Sequence, residues 1–190
     1  MRLAALALGF CAGAACSETV YQITPPEGYP PSLGGASGNL GKKPVVWEFF
    51  DFSIGAFDAS AWVDQDWNSK IVSFKLMGYA PSSPDDMRFR LWVQGDFGKT
   101  FRTGAAEGAV EVSILRGRDP DGPQLSSAGQ RVEVVVDSIG PAEPNSYLRH
   151  VTGHIDARLC PKGWLFKSCQ DLTLTFDTDV QMGSEVEVSE

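Results

Sequence analysis

Apolar and polar residues alternate with a period of two through most of the chain beyond residue 45, and this pattern constrains the fold more than any other feature. It is clearest in Met87-Arg88-Phe89-Arg90-Leu91-Trp92-Val93, where the odd positions are apolar and the even ones mostly polar. Successive side chains of a strand point to opposite faces, so the run reads as a strand with one side in a core and one in water. The pattern recurs at Val110, Val112 and Ile114, at Val132, Val134 and Val136, and at Leu172, Leu174 and Phe176. It also marks residues 71–79 and a long strand over 147–159 through Val151, Ile155 and Ala157. Within 45–54 the apolar parity switches between Phe49 and Phe50, which predicts a bulge or a strand buried on both faces. Turns rich in proline, at Pro81 and Pro84, Pro120 and Pro123, and Pro141 and Pro144, separate these runs because proline cannot donate to a ladder. No segment carries a helical period. The expected fold is therefore all-β: an antiparallel β-sandwich, or alternatively a closed antiparallel β-barrel. It should have about 7–9 strands, the weaker two lying at 99–103 and 185–188.

The stretch 45–182 is long enough for one domain that buries roughly 70% of its unfolded surface. Residues 183–190 read as an acidic tail or an edge strand guarded by its acids. Cys160 and Cys169 bracket a short loop between two strands, and their spacing matches neither a redox pair nor a zinc half-site. A structural disulfide is expected there.

Residues 1–15 read as a signal peptide: Arg2 precedes a short apolar run that ends in small residues. Gly13-Ala14-Ala15-Cys16 resembles the lipobox of bacterial lipoproteins, with Gly13 where Leu is commoner. The resemblance implies that Cys16 becomes a diacylated N-terminus. Cysteine parity agrees, since an unmodified Cys16 would be an odd thiol in an oxidising compartment. Residues 16–44, with Pro25, Pro26, Pro30 and Pro31, read as a disordered Pro/Gly-rich tether from that lipid to the domain. The expected location is the outer membrane or cell surface, with a soluble periplasmic or secreted protein as the alternative. Losing Arg2 takes the formal charge from −8 to about −9. So acidic a chain repels phosphate backbones and anionic headgroups, which excludes nucleic acid as a partner and leaves lipid as the route to a membrane.

Few residues carry recognisable chemistry. Asp64, Asp66 and Asn68 have the spacing that opens a calcium loop, but Ser69 stands at the turn glycine and Lys75 at the closing glutamate. A structural calcium is therefore only an alternative to having no cofactor, and a solvated acidic loop is the plainer reading. His150, Thr152, His154, Asp156 and Arg158 share the polar side of one strand without a nucleophile motif, and read as ordinary surface. Trp47 falls in an apolar run and is expected in the core. Trp92 shares its polar strand face with Arg88 and Arg90, while Trp62, Trp67 and Trp164 are expected in loops. An aromatic beside guanidinium groups makes a platform for a sugar, a carboxylate or a protein. The leading functional expectation is a non-enzymatic, lipid-anchored envelope protein with a binding or accessory role toward an envelope protein or glycan. The alternatives are a carbohydrate-binding module using Trp62, Trp67 and Trp92 and an envelope hydrolase with a carboxylate pair.

Overall fold

The computed structural model describes residues 30–52, 59–79, 89–115, 124–142, 146–161 and 168–189. These residues form an all-β protein of thirteen strands, more than the sequence predicts. One sheet places β2 (Lys43–Phe50), β1 (Ser32–Leu40), β12 (Gln170–Met182), β11 (Leu148–Pro161), β10 (Val132–Ile139) and the short β7 (Gly104–Ala105) side by side, every pair antiparallel. The other runs β3 (Ala61–Gln65), β4 (Val72–Gly78), β5 (Leu91–Asp96), β8 (Val110–Leu115) and β9 (Gln124–Ser126), also antiparallel. The two are joined at two seams. At one, Gln181 and Met182 of β12 run parallel to Trp62 and Val63 of β3; at the other, Cys160 and Pro161 of β11 pair with Ser126 and Leu125 of β9. The strands β3, β4, β5, β8, β9, β11 and β12 thus complete a hydrogen-bonded ring, so the sandwich also has the closure of a barrel. A small parallel pair, β6 (Phe101–Arg102) with β13 (Val188–Ser189), ties down the C-terminal segment.

One core fills the space between the sheets. Phe74 of β4 meets Phe176 of β12 at a centroid distance of 5.5 Å and Phe101 at 5.7 Å, with Phe97 edge-on to both Phe74 and Phe101. Burial of each such ring stabilises the fold by roughly 1.5–3 kcal/mol. The outward face of β12 is polar: Thr173, Thr175 and Asp177 are exposed while Leu172, Leu174 and Phe176 are buried. That is the reverse of a membrane-spanning barrel, whose outside is apolar. Cys160 and Cys169 are bridged, linking the end of β11 to the residue before β12. The short loop so closed contributes about 2–3 kcal/mol on the chain-entropy argument.

Several expectations need correction. Residues 32–44 are not tether, because β1 lies there and inserts between β2 and β12. The glycines that made this stretch look structureless are what its packing requires: a Cβ on Gly38 would lie 2.0 Å from the carbonyl oxygen of Thr173. The strand expected from Met87 begins at Leu91. Phe89 has φ +60° and is 49% exposed, which breaks the alternation, while Met87 and Arg88 lie outside the described residues. The parity switch at Phe49 and Phe50 reflects a strand buried on both faces there, and the bulge lies on its partner β1 rather than within 45–54. Leu33 of β1 is an extra residue in the register opposite them, and Phe50 turns away from the main core to pack with Phe52 and Tyr79. The leader with Cys16 and the first part of the tether lie outside the described residues.

Gly38→Ala should destabilise the protein by about 1–3 kcal/mol, the range for forcing an atom into packed structure. The neighbouring Ser37→Ala, on the exposed face, should change stability by less than about 0.5 kcal/mol. Urea unfolding followed by tryptophan fluorescence measures both.

Candidate functional site

Along β3, β4 and β5 every second residue is buried, which leaves Trp62 and Asp64, Ser73, Lys75 and Met77, and Trp92, Gln94 and Asp96 on the outward face. Register sets Trp62 opposite Lys75 and Trp92 opposite Met77. The two indoles meet across β4 with centroids 5.9 Å apart and planes at 60°. Lys75 Nζ donates to both carboxylate oxygens of Asp64, at 2.8 and 3.0 Å, and lies 5.9 Å from the centre of the Trp62 ring. Beyond Trp92, Arg90 and the hydroxyl of Tyr79 both reach the sulfur of Met77. Burial raises the pKa of Tyr79, an effect that Arg90 partly offsets.

Trp62 is therefore a strand residue and not a loop residue, and it pairs with Trp92, from which the sequence separates it. Trp67 sits on the turn after β3, off the sheet face, and is 77% exposed. Arg88 and Trp164 lie outside the described residues. Trp47 is buried, as expected.

The two carboxylates of the 64–66–68 spacing are engaged by protein groups. Asp64 is committed to Lys75, and Asp66 to its own turn, where Oδ1 accepts from the amides of Asn68 and Ser69 and from the Ser69 hydroxyl, at 3.1, 2.7 and 2.8 Å. Among the described residues, no group of three or more His, Cys, Asp or Glu is arranged to hold a metal.

A cleft of about 400 Å³ opens at the seam where β12 meets β3. Its lining includes Asp64, Gln65, Tyr147, Gln181 and Glu185. Gln181 is the register partner of Trp62 and Asp64 shares the face of Trp62, so the cleft continues the aromatic face. Sequence reasoning missed Tyr147 and Glu185 as site residues. No sequence signal marks a parallel contact between strands more than a hundred residues apart. Two carboxylates line this cleft, and Lys75 engages both oxygens of one of them, Asp64. The arrangement is suited to holding polar ligands by stacking and hydrogen bonds.

On the opposite sheet the polar face of β11 is likewise occupied. His150 has Nδ1 3.1 Å from Asp179 and Nε2 3.2 Å from Asp177, and His154 has Nδ1 3.0 Å from Asp137. Thr152 bonds Ser138 at 2.7 Å. These are exposed cross-strand pairs.

No protein-family model, no curated protein and no solved structure matches the chain.

Asp66 yields a pH test. The amide of Ser69, then its hydroxyl, hold the Asp66 carboxyl below its ordinary value of 3.8. A lowered native pKa contributes stability that is complete above the unfolded value and is lost as pH falls through the native one. Asp66→Ala should therefore destabilise the protein at pH 7, and its difference from wild type should narrow as the pH drops below 3.8. Denaturant titrations at pH 7 and in the acid range measure this.

Proposed function

We propose that the protein is a non-enzymatic, lipid-anchored binding protein of the bacterial envelope whose contact surface is the Trp62–Trp92 face. Its ligand on this reading is a saccharide. One observation carries the proposal: two tryptophans meet on the outward side of a sheet, half-buried and bordered by an ion pair and amides. A solvated sheet face does not need large aromatic rings for its stability, and side-by-side indoles with nearby donors and acceptors match the apolar faces and hydroxyl edges of sugar rings. The acidic charge favours neutral or basic glycans over anionic polymers. The leader and Cys16 supply the anchor, and the residues between Cys16 and β1 supply the reach.

Two measurements test this. Protein recovered from the native envelope should carry a diacylated Cys16 by mass spectrometry, and Cys16→Ala should release it from the membrane fraction. On a glycan array the mature protein should bind specific oligosaccharides, with Trp62→Ala and Trp92→Ala each lowering affinity about tenfold, equivalent to about 1.4 kcal/mol. Binding unchanged by both substitutions removes the face as the site, and an unacylated Cys16 removes the anchor.

A further inference from the structure

We propose that the cleft at the seam of β3 and β12 is a subsite for a sugar bearing a free amine, so that the ligand of the Trp62–Trp92 face is an amino-sugar oligomer that reaches into it. This rests on the saccharide-binding reading of that face. A volume of about 400 Å³ falls within the range of small-molecule sites, which bind by apolar contact plus a few directed polar groups. The lining supplies both. Tyr147 is 74% exposed, a large planar ring held at the rim by its own backbone, whose carbonyl accepts the amide of Met182 at 2.7 Å. An anchored aromatic left in water is a stacking surface awaiting a partner.

The side-chain amides are already oriented. Gln65 donates through Nε2 to the carbonyls of Lys70 and Lys99, which leaves its Oε1 to accept. Gln181 accepts the amide of Ala59 on Oε1, which leaves its Nε2 to donate. An acceptor and a donor in one cleft suit vicinal hydroxyls, each of which both gives and takes a hydrogen bond.

Charge then selects among sugars. Among the described residues the lining contains two carboxylates, Asp64 and Glu185, and no lysine, arginine or histidine. Lys75 neutralises Asp64. Glu185 makes no ion pair among the described residues and leaves the cleft with a net negative charge. An ammonium group offsets that charge with a charge-assisted hydrogen bond, a neutral acetamide does so only in part, and a uronate is repelled.

The full mature chain would be titrated calorimetrically with three tetrasaccharides: β-1,4-linked glucosamine, its N-acetylated counterpart, and galacturonate. The amine form should bind at least fivefold more tightly than the acetylated form, and galacturonate should give no heat. Glu185→Gln should abolish the preference for the amine, and Tyr147→Ala should weaken both bound forms about tenfold. Both residues are exposed, and unchanged thermal unfolding would show that the variants fold. Equal or tighter binding of galacturonate overturns the proposal, as do affinities that neither substitution moves. If Trp62→Ala abolishes binding while the two cleft substitutions leave it intact, the cleft proposal falls and the face stands. If none of the sugars binds, both fall.

Discussion

The backbone ladder between β11 and β12 governs the architecture. It runs from Leu148 opposite Gln181 to Leu159 opposite Gln170, far longer than an ordinary strand pair. Each strand outlasts its other neighbour and passes to a new one. β12 lies beside β1 as far as Thr178 and then meets β3 at Gln181; β11 lies beside β10 from Val151 to Ala157 and then meets β9 at Cys160. Because the two strands are antiparallel, these handovers fall at opposite ends of the ladder. Two sheets are thereby sewn together at opposite corners, and the distinction between sandwich and barrel dissolves. The corners are finished differently. The disulfide sits at the seam with β9, whereas the seam with β3 has no covalent staple and opens into the cleft.

Where one side of a strand faces the core and the other faces water, the sequence spells it out. β4, β8, β10, β11 and β12 are all legible from alternation alone. Legibility fails where another demand overrides alternation. β1 carries Gly34, Gly35 and Gly38 because it runs so close to its neighbours that side chains would collide with their backbones, and a glycine-rich stretch reads locally as linker. β3 and β9 have only five and three residues, too few to display a period. At Phe89 the alternation continues in the sequence but not in the chain, since a left-handed turn sets that ring on the surface, where its carbonyl receives the indole N–H of the buried Trp47.

The candidate site was legible only in pieces. Trp92 stood out because an aromatic occupied a polar position of its strand. Trp62 was a candidate only as a loop aromatic, because β3 is too short to read as a strand. Their meeting depends on the register of both strands with β4, which chain-distant pairings fix. The spacing 64–66–68 does not reveal the partners of these residues, for a related reason. Spacing records which residues are near in sequence, whereas the fold turns Asp64 outward along a strand toward Lys75 and leaves Asp66 to cap a turn. The lysine that spoils the calcium pattern is the residue that satisfies its first carboxylate.

That ion pair bears on what the face can do. Being partly exposed, it contributes no more than about 1 kcal/mol to stability. Its consequence is positional: Lys75 is held at the Asp64 carboxylate and over the Trp62 ring, which fixes one charged donor beside the indole pair. The strands beneath belong to a closed hydrogen-bonded ring, so the indoles ride on backbone that cannot fray from a sheet edge. Association always costs the freedom of whatever must be ordered, and a preorganised face leaves most of that cost with the ligand. A rigid ledge of two tryptophans is therefore better matched to stiff rings linked in a chain than to a flexible peptide, whose ordering would consume the modest energy that such a shallow surface returns.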